Sequence, residues 1–103
     1  MIVYEIHHNL APIVKDVPNE IEALQKCVGG YIEPIYLPEL IEKDIVLLAN
    51  EEGVLKGLPI NENLQPFFYV GDVIAVGVVG EHFIGLAPFQ IVHLYNWLEG
   101  LKK

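Results

Sequence analysis

The chain has 103 residues, of which 52% are hydrophobic and 19% are charged, and its formal net charge is −8. This size fits one domain, and the composition is that of a folded chain and the opposite of a disordered one. The chain contains no arginine, so direct binding to nucleic acid is not expected, and it contains no serine or threonine, which excludes the hydroxyl nucleophiles that those two residues supply to hydrolases.

The first predicted element is a strand over residues 2–7, where Ile2, Tyr4 and Ile6 alternate with Val3, Glu5 and His7. This start lacks the basic region and apolar core of a signal peptide, and no apolar run reaches the length of a membrane span. We therefore expect a protein that is neither secreted nor inserted in a membrane.

A helix is predicted over residues 18–28, because a proline and acidic residues come early and a lysine comes late. Gly29 follows and fits the left-handed position that commonly ends a helix. Cys27 is the single cysteine, which excludes an internal disulfide and a cysteine-rich zinc site and favours a reducing, cytoplasmic location.

Two further strands are predicted before the middle of the chain. Residues 31–37 form an edge strand, since Pro34 lacks the amide that a central ladder requires. Residues 44–49 form the next strand, and its positions 45–49 are apolar on both faces, as in a central strand. After a tight turn, residues 54–56 are predicted to return as a short hairpin partner.

The second half begins with a loop over residues 57–66 that is rich in proline and asparagine. A short strand at 67–70, a central strand at 72–79 and a strand at 82–86 follow. Pro88 then starts a helix that runs to Glu99. Ile91, Leu94, Leu98 and Leu101 form its main apolar stripe.

These elements predict a single domain over residues 1–103 with an α+β fold: a small mixed, mainly antiparallel sheet of about five to seven strands, with two helices packed on one face. Two strands are apolar on both faces, so the second face of the sheet also needs a cover. A second copy of the chain is the simplest cover, and we expect a homodimer.

Polar residues in the loops are the candidate ligand-binding residues. Asn50, Glu51 and Asn61 could converge if the turn and the proline-rich loop fold over the same sheet edge, with Tyr31 available for stacking. Turn chemistry explains each asparagine by itself. Glu33 shares a strand face with Tyr31, so a carboxylate against an apolar wall could act in proton transfer, and a solvated edge glutamate is the alternative.

Tyr95 and Trp97 lie off the main stripe of the last helix and are candidate interface residues, with packing against the domain's own loops as the alternative. No metal site or cofactor is expected. His7 and His8 are neighbours on a strand and point to opposite faces, so they cannot reach one ion together, and His82 and His93 are isolated in the sequence.

Three sequence segments resemble the DUF3846 family, a domain of unknown function found in bacterial, phage and mobile-element proteins. The similar segments are Cys27-Val28-Gly29-Gly30-Tyr31-Ile32-Glu33, the run from Asn50 to Asn61, and Gly71-Asp72. The resemblance implies an accessory protein of phage or mobile DNA and carries over no catalytic residue. This chain has Glu62 after the loop asparagine where a basic residue is tolerated, which weakens any shared anion-binding role.

The first functional hypothesis is a non-enzymatic, self-associating module that binds a protein partner. The alternatives are a small-molecule binding protein, whose ligand is a metabolite or nucleotide, and an acidic nucleic-acid mimic that occupies a basic groove on another protein. An enzyme that uses Glu33 or a histidine as acid or base requires a deep pocket with two convergent ionisable groups.

Overall fold

Six strands form one antiparallel sheet in the computed structural model, which describes all 103 residues. The strands are β1 (Ile2–Ile6), β2 (Ile13–Asp16), β3 (Ile32–Ile35), β4 (Ile45–Asn50), β5 (Val73–Val79) and β6 (His82–Ile84). The helices are α1 (Ile21–Val28), α2 (Pro38–Ile41) and α3 (Pro88–Leu101), with a short 3₁₀ helix at Glu62–Leu64. The predicted α+β class and strand number are confirmed, and every strand pairing is antiparallel.

The strand order is β2-β1-β5-β4-β3, and β6 pairs with the end of β5. The two runs that are apolar on both faces, β4 and β5, are neighbours in the interior of the sheet, with Leu47 opposite Ala75. Strand β3 lies at an edge, where Pro34 does not disturb an interior ladder. Both placements agree with the sequence prediction.

Alternating side chains of the central strands enter two separate cores. One core, on the α3 side, is formed by Tyr4, Ile6, Leu40, Ile45, Leu47, Ala49, Leu64, Val73, Ala75, Leu86, Leu94 and Leu98. The other core, on the α1 side, is formed by Val3, Val17, Leu24, Val28, Val46, Leu48, Ile74 and Val76. The strand period of two residues thus buries every position of β4.

The placement of the helices differs from the prediction that both lie on one face. Helix α1 covers one face of the sheet and α3 covers the other, since Leu24 and Leu94 belong to different cores. Both faces of the sheet are covered, as predicted, but the covering elements are helices of the same chain. The sheet therefore gives no reason for a second copy of the chain.

Helix α1 has the predicted polarity. Glu22 lies in its first turn and Lys26 in its last turn, which suits the helix dipole. Gly29 ends the helix with φ of 80°, and its N–H donates to the carbonyl of Gln25. Only glycine adopts this left-handed backbone without strain, so the predicted cap is confirmed.

Helix α3 begins at Pro88 and is anchored by the buried side chain of Gln90. The Gln90 Oε1 accepts the N–H of Ala87 at 2.8 Å, and its Nε2 donates to the carbonyls of Lys43 and Asp44 at 2.9 and 3.1 Å. The start of α3 is thereby joined to the turn that leads into β4.

No helix in the structure combines the length and apolarity needed to cross a bilayer.

Some local predictions were wrong. Residues 54–56 form a turn instead of a strand, and residues 67–70 contribute only one bridge, between Ile60 and Val70. Strand β2 and the single-turn helix α2 were not predicted. The four residues of β2 are all exposed, so they carry no buried-face pattern that would mark them as a strand.

Candidate functional site

Asn50, one of the predicted ligand-binding residues, lies at the buried end of β4. Its Nδ2 donates to the carbonyl of Val28 at 3.1 Å, and its Oδ1 accepts the N–H of Glu52 at 2.8 Å. The amide thus joins the end of α1 to the turn after β4. Gly30 makes this approach possible, because a Cβ there would lie 2.9 Å from the Asn50 Nδ2.

Asn61 is fully buried and also serves the fold. Its Nδ2 donates to the carbonyls of Ile6 and Gly71 at 2.8 and 2.9 Å, while its Oδ1 accepts the N–H of Asn63. The side chain fastens the proline-rich loop to the end of β1 and to the segment before β5. Both amide hydrogens and the carbonyl oxygen are engaged, so Asn61 has little capacity left for a ligand.

The five predicted ligand-binding residues do not converge as a set. Glu33, Asn50 and Glu51 line one hollow of about 150 Å³, whereas Tyr31 and Asn61 do not line it. Glu33 is exposed on the edge strand and Tyr31 is 66% exposed. The hollow is smaller than the roughly 300–1,000 Å³ of pockets that hold small molecules.

The outer face of α3 presents three large side chains to solvent. Phe89, Val92 and Tyr95 are 62%, 59% and 55% exposed, and they follow one another at intervals of three residues. No lysine or acidic residue occurs in the helix from Pro88 to Leu98. A helix with apolar residues on its outer as well as its inner face is typical of one that is covered on both sides.

The two predicted interface residues lie in different environments. Tyr95 belongs to this outer face of α3. Trp97 is half-buried, packs against the core on the α3 side, and has its ring centroid 6.1 Å from that of Phe67. Tyr95 is therefore free for an intermolecular contact, whereas Trp97 mainly supports the domain's own core.

A cluster that the sequence analysis did not identify lies where β1 ends. His7 Nδ1 and His8 Nδ1 lie 3.5 and 3.0 Å from the two carboxylate oxygens of Asp72. The two rings reach one carboxylate because β1 ends at Ile6, so the strict alternation of side chains no longer applies at His8. No group of three or more His, Cys, Asp or Glu side chains has the geometry to hold a metal ion.

Burial and the nearby Glu5 carboxylate raise the pKa of the Cys27 thiol above its ordinary value. A thiol with a raised pKa is protonated at neutral pH and is a poor nucleophile. The environment of Cys27 is thus opposite to the electropositive one that activates catalytic cysteines.

The structure therefore defines a small α+β domain whose antiparallel sheet is covered on both faces by its own helices. The chain belongs to the DUF3846 family, described as a domain of unknown function, because residues 1–99 match that family. The resemblance seen in the sequence is confirmed and covers more of the chain than the motifs indicated. Neither the curated proteins nor the solved structures include a significant match to the chain.

Proposed function

We propose that the protein is a non-enzymatic interaction module that self-associates through the outer face of α3. In this proposal it is a cytoplasmic accessory protein of phage or mobile DNA. The observation that carries this proposal is the exposure of Phe89, Val92 and Tyr95 on the part of α3 from Pro88 to Leu98, which contains no lysine or acidic residue. Large aromatic and aliphatic side chains of this kind form the centres of protein interfaces.

Charge also favours this face for pairing. Two copies of a chain with a net charge of −8 repel each other, and the repulsion is least where the contacting surface carries no carboxylates. A symmetric dimer would place the same face of α3 from each copy in contact. The first acidic residue of α3 is Glu99, and its carboxylate is paired with Lys102 at 2.9 Å.

The two alternatives have less support. A metabolite or nucleotide site at the predicted loop residues would have to use Asn50 and Asn61, whose amides are bonded to the backbone. The acidic nucleic-acid mimic rests on net charge alone and stays a prediction.

Sedimentation velocity at increasing protein concentration tests the proposal. We expect a dimer that Val92→Glu converts to a monomer, because the substitution places a charge at the centre of the contact. Ile21→Glu is the matched control: Ile21 is 50% exposed at the start of α1, which lies on the opposite face of the sheet from α3. A wild-type monomer at every concentration, or equal dissociation by both substitutions, would contradict the proposal.

A further inference from the structure

An open groove of about 520 Å³ lies between α1 and the hairpin of β1 and β2. Its volume falls within the range of pockets that hold small molecules, roughly 300–1,000 Å³. The lining includes four carboxylates (Glu5, Asp16, Glu20, Glu22) and two lysines (Lys15, Lys26). The groove is separate from the outer face of α3, since α1 and α3 lie on opposite faces of the sheet.

Glu5 is the buried carboxylate of this groove. It follows Val3 on the α1 side of the sheet, and its side chain is only 9% exposed although it lines the cavity. Its Oε1 lies 3.2 Å from His7 Nε2 and its Oε2 lies 3.4 Å from Lys15 Nζ. These contacts are longer than the roughly 2.7–2.9 Å of strong charge-assisted hydrogen bonds, and an ionised carboxylate accepts about four bonds. The Cys27 thiol is a third neighbour of this carboxylate, so Glu5 retains capacity for about one further hydrogen bond from a ligand.

Lys15 shows what kind of group fits beside Glu5. Its ammonium group lies against the Glu5 carboxylate, yet its side chain is 53% exposed. Only one partner is exposed: the buried Glu5 carboxylate requires a cationic neighbour, whereas the Lys15 side chain reaches solvent. Lys15 can therefore rotate into solvent and leave its place to another cation.

The other side chains that line the groove also favour a positively charged ligand. Glu20 and Glu22 lie at the start of α1 and line the groove, and Lys26 is the one other lysine on its wall. Val17, Pro18 and Ala23 provide an apolar surface for a short carbon chain. The groove thus combines a buried carboxylate, further acidic residues and a small apolar wall.

We infer that this groove binds a small organic cation whose ammonium or guanidinium group replaces Lys15 Nζ at the Glu5 carboxylate. This inference is independent of the proposed self-association, because it uses different residues and a different face of the sheet.

Calorimetric titration with agmatine and with spermidine tests the inference. Both carry terminal cations on short carbon chains, and glutarate serves as an anionic control probe. We expect binding of the cations that Glu5→Gln weakens by on the order of tenfold, or about 1.4 kcal/mol. Glu81→Gln is the matched control, since Glu81 is an exposed acid at the turn between β5 and β6 and its change alters the net charge equally.

Lys15→Met provides a second, independent readout. This substitution removes the internal competitor from an exposed side chain, so it should preserve the fold and tighten cation binding by roughly threefold or more. A purely structural role of Glu5 would not produce this tightening. Absence of cation binding by the wild type, equal loss in Glu5→Gln and Glu81→Gln, or no tightening in Lys15→Met would each overturn the inference.

Discussion

His8 and Asp72 are joined twice: the backbone N–H of His8 donates to Asp72 Oδ1 at 2.9 Å, and His8 Nδ1 lies 3.0 Å from the same oxygen. The two residues connect the end of β1 to the start of β5. Burial by itself raises the pKa of the Asp72 carboxyl, but the hydrogen bonds from His8 and the attraction of His7 outweigh burial and lower the pKa below its ordinary value.

The first prediction concerns acid stability. Because the pKa of Asp72 is lower in the folded state, its contribution is complete above the unfolded value of about 3.9 and is lost as pH falls through the folded value. At pH 7 we expect Asp72→Asn to reduce the free energy of unfolding by about 1 kcal/mol, since exposure of the carboxylate screens its contacts. Urea unfolding at decreasing pH should show wild type and variant converging in acid. A constant difference at all pH values would contradict the assignment.

The second prediction concerns the buried amide of Asn61. Asn61→Ala leaves the carbonyls of Ile6 and Gly71 without their donor, and we expect a loss of about 2–3 kcal/mol in the free energy of unfolding. Asn96→Ala, on the exposed side of α3, should change it by less than about 0.5 kcal/mol. Chemical denaturation compares them, and similar values for the two variants would show that Asn61 has no special structural role.

A third prediction compares two glycine-to-alanine substitutions. Gly30→Ala places a Cβ 2.9 Å from Asn50 Nδ2 and should destabilise the fold by about 1–2 kcal/mol, because the buried amide must move. A Cβ at Gly100 would have no neighbouring atom within 4 Å, so Gly100→Ala should stabilise α3 by about 0.5 kcal/mol. Thermal unfolding shows whether each substitution raises or lowers the melting temperature. A higher melting temperature for Gly30→Ala would refute the close contact with Asn50.

The fourth prediction tests the cover on both faces of the sheet. Leu47 and Leu48 are consecutive in β4, fully buried, and belong to different cores. Leu47→Ala and Leu48→Ala should each reduce the free energy of unfolding by about 2–4 kcal/mol. Val79→Ala, at an exposed position of β5, should have an effect below about 0.5 kcal/mol. If replacing either leucine by alanine left the free energy of unfolding unchanged, the face of the sheet to which that leucine points would be uncovered.

The fifth prediction concerns thiol reactivity. Since burial and the Glu5 carboxylate raise the pKa of Cys27, iodoacetamide should alkylate the folded protein more slowly than the unfolded chain. Glu5→Gln removes the carboxylate charge, lowers the pKa of Cys27, and should accelerate alkylation at pH 8 by roughly threefold to tenfold. Glu81→Gln should leave the rate unchanged. Mass spectrometry of timed samples measures the rates of alkylation. A slower reaction in Glu5→Gln would contradict the finding that the Glu5 carboxylate raises the pKa of Cys27.

The sequence predicted the elements whose signals are local. The uninterrupted apolar runs of β4 and β5 marked the interior of the sheet, and Gly29 marked the end of α1. Strand β2 was missed because its conformation depends on pairing with β1, where Ile2 faces Asp16, and not on its own pattern. The side of the sheet on which each helix lies depends on how the chain crosses the sheet, which apolar periodicity does not specify.

The candidate sites were harder to predict because burial decides them. Asn50 and Asn61 were recognised as special loop residues, but the pattern could not distinguish an amide that binds a ligand from one that binds the backbone. Glu5 was placed on the strand face that it shares with Val3 and His7, and the pattern did not show whether that face is solvated or buried. Its burial arises only when α1 lies across that face, a tertiary relationship between distant segments.

The contacts of Gln90 also determine how parts of the domain can open. Its Nε2 donates to the carbonyls of Lys43 and Asp44, so the first turn of α3 cannot separate from the turn before β4 without breaking both hydrogen bonds. The two segments should therefore exchange their amide hydrogens with deuterium as one cooperative unit, although Asp44 and Gln90 are 46 positions apart in the sequence.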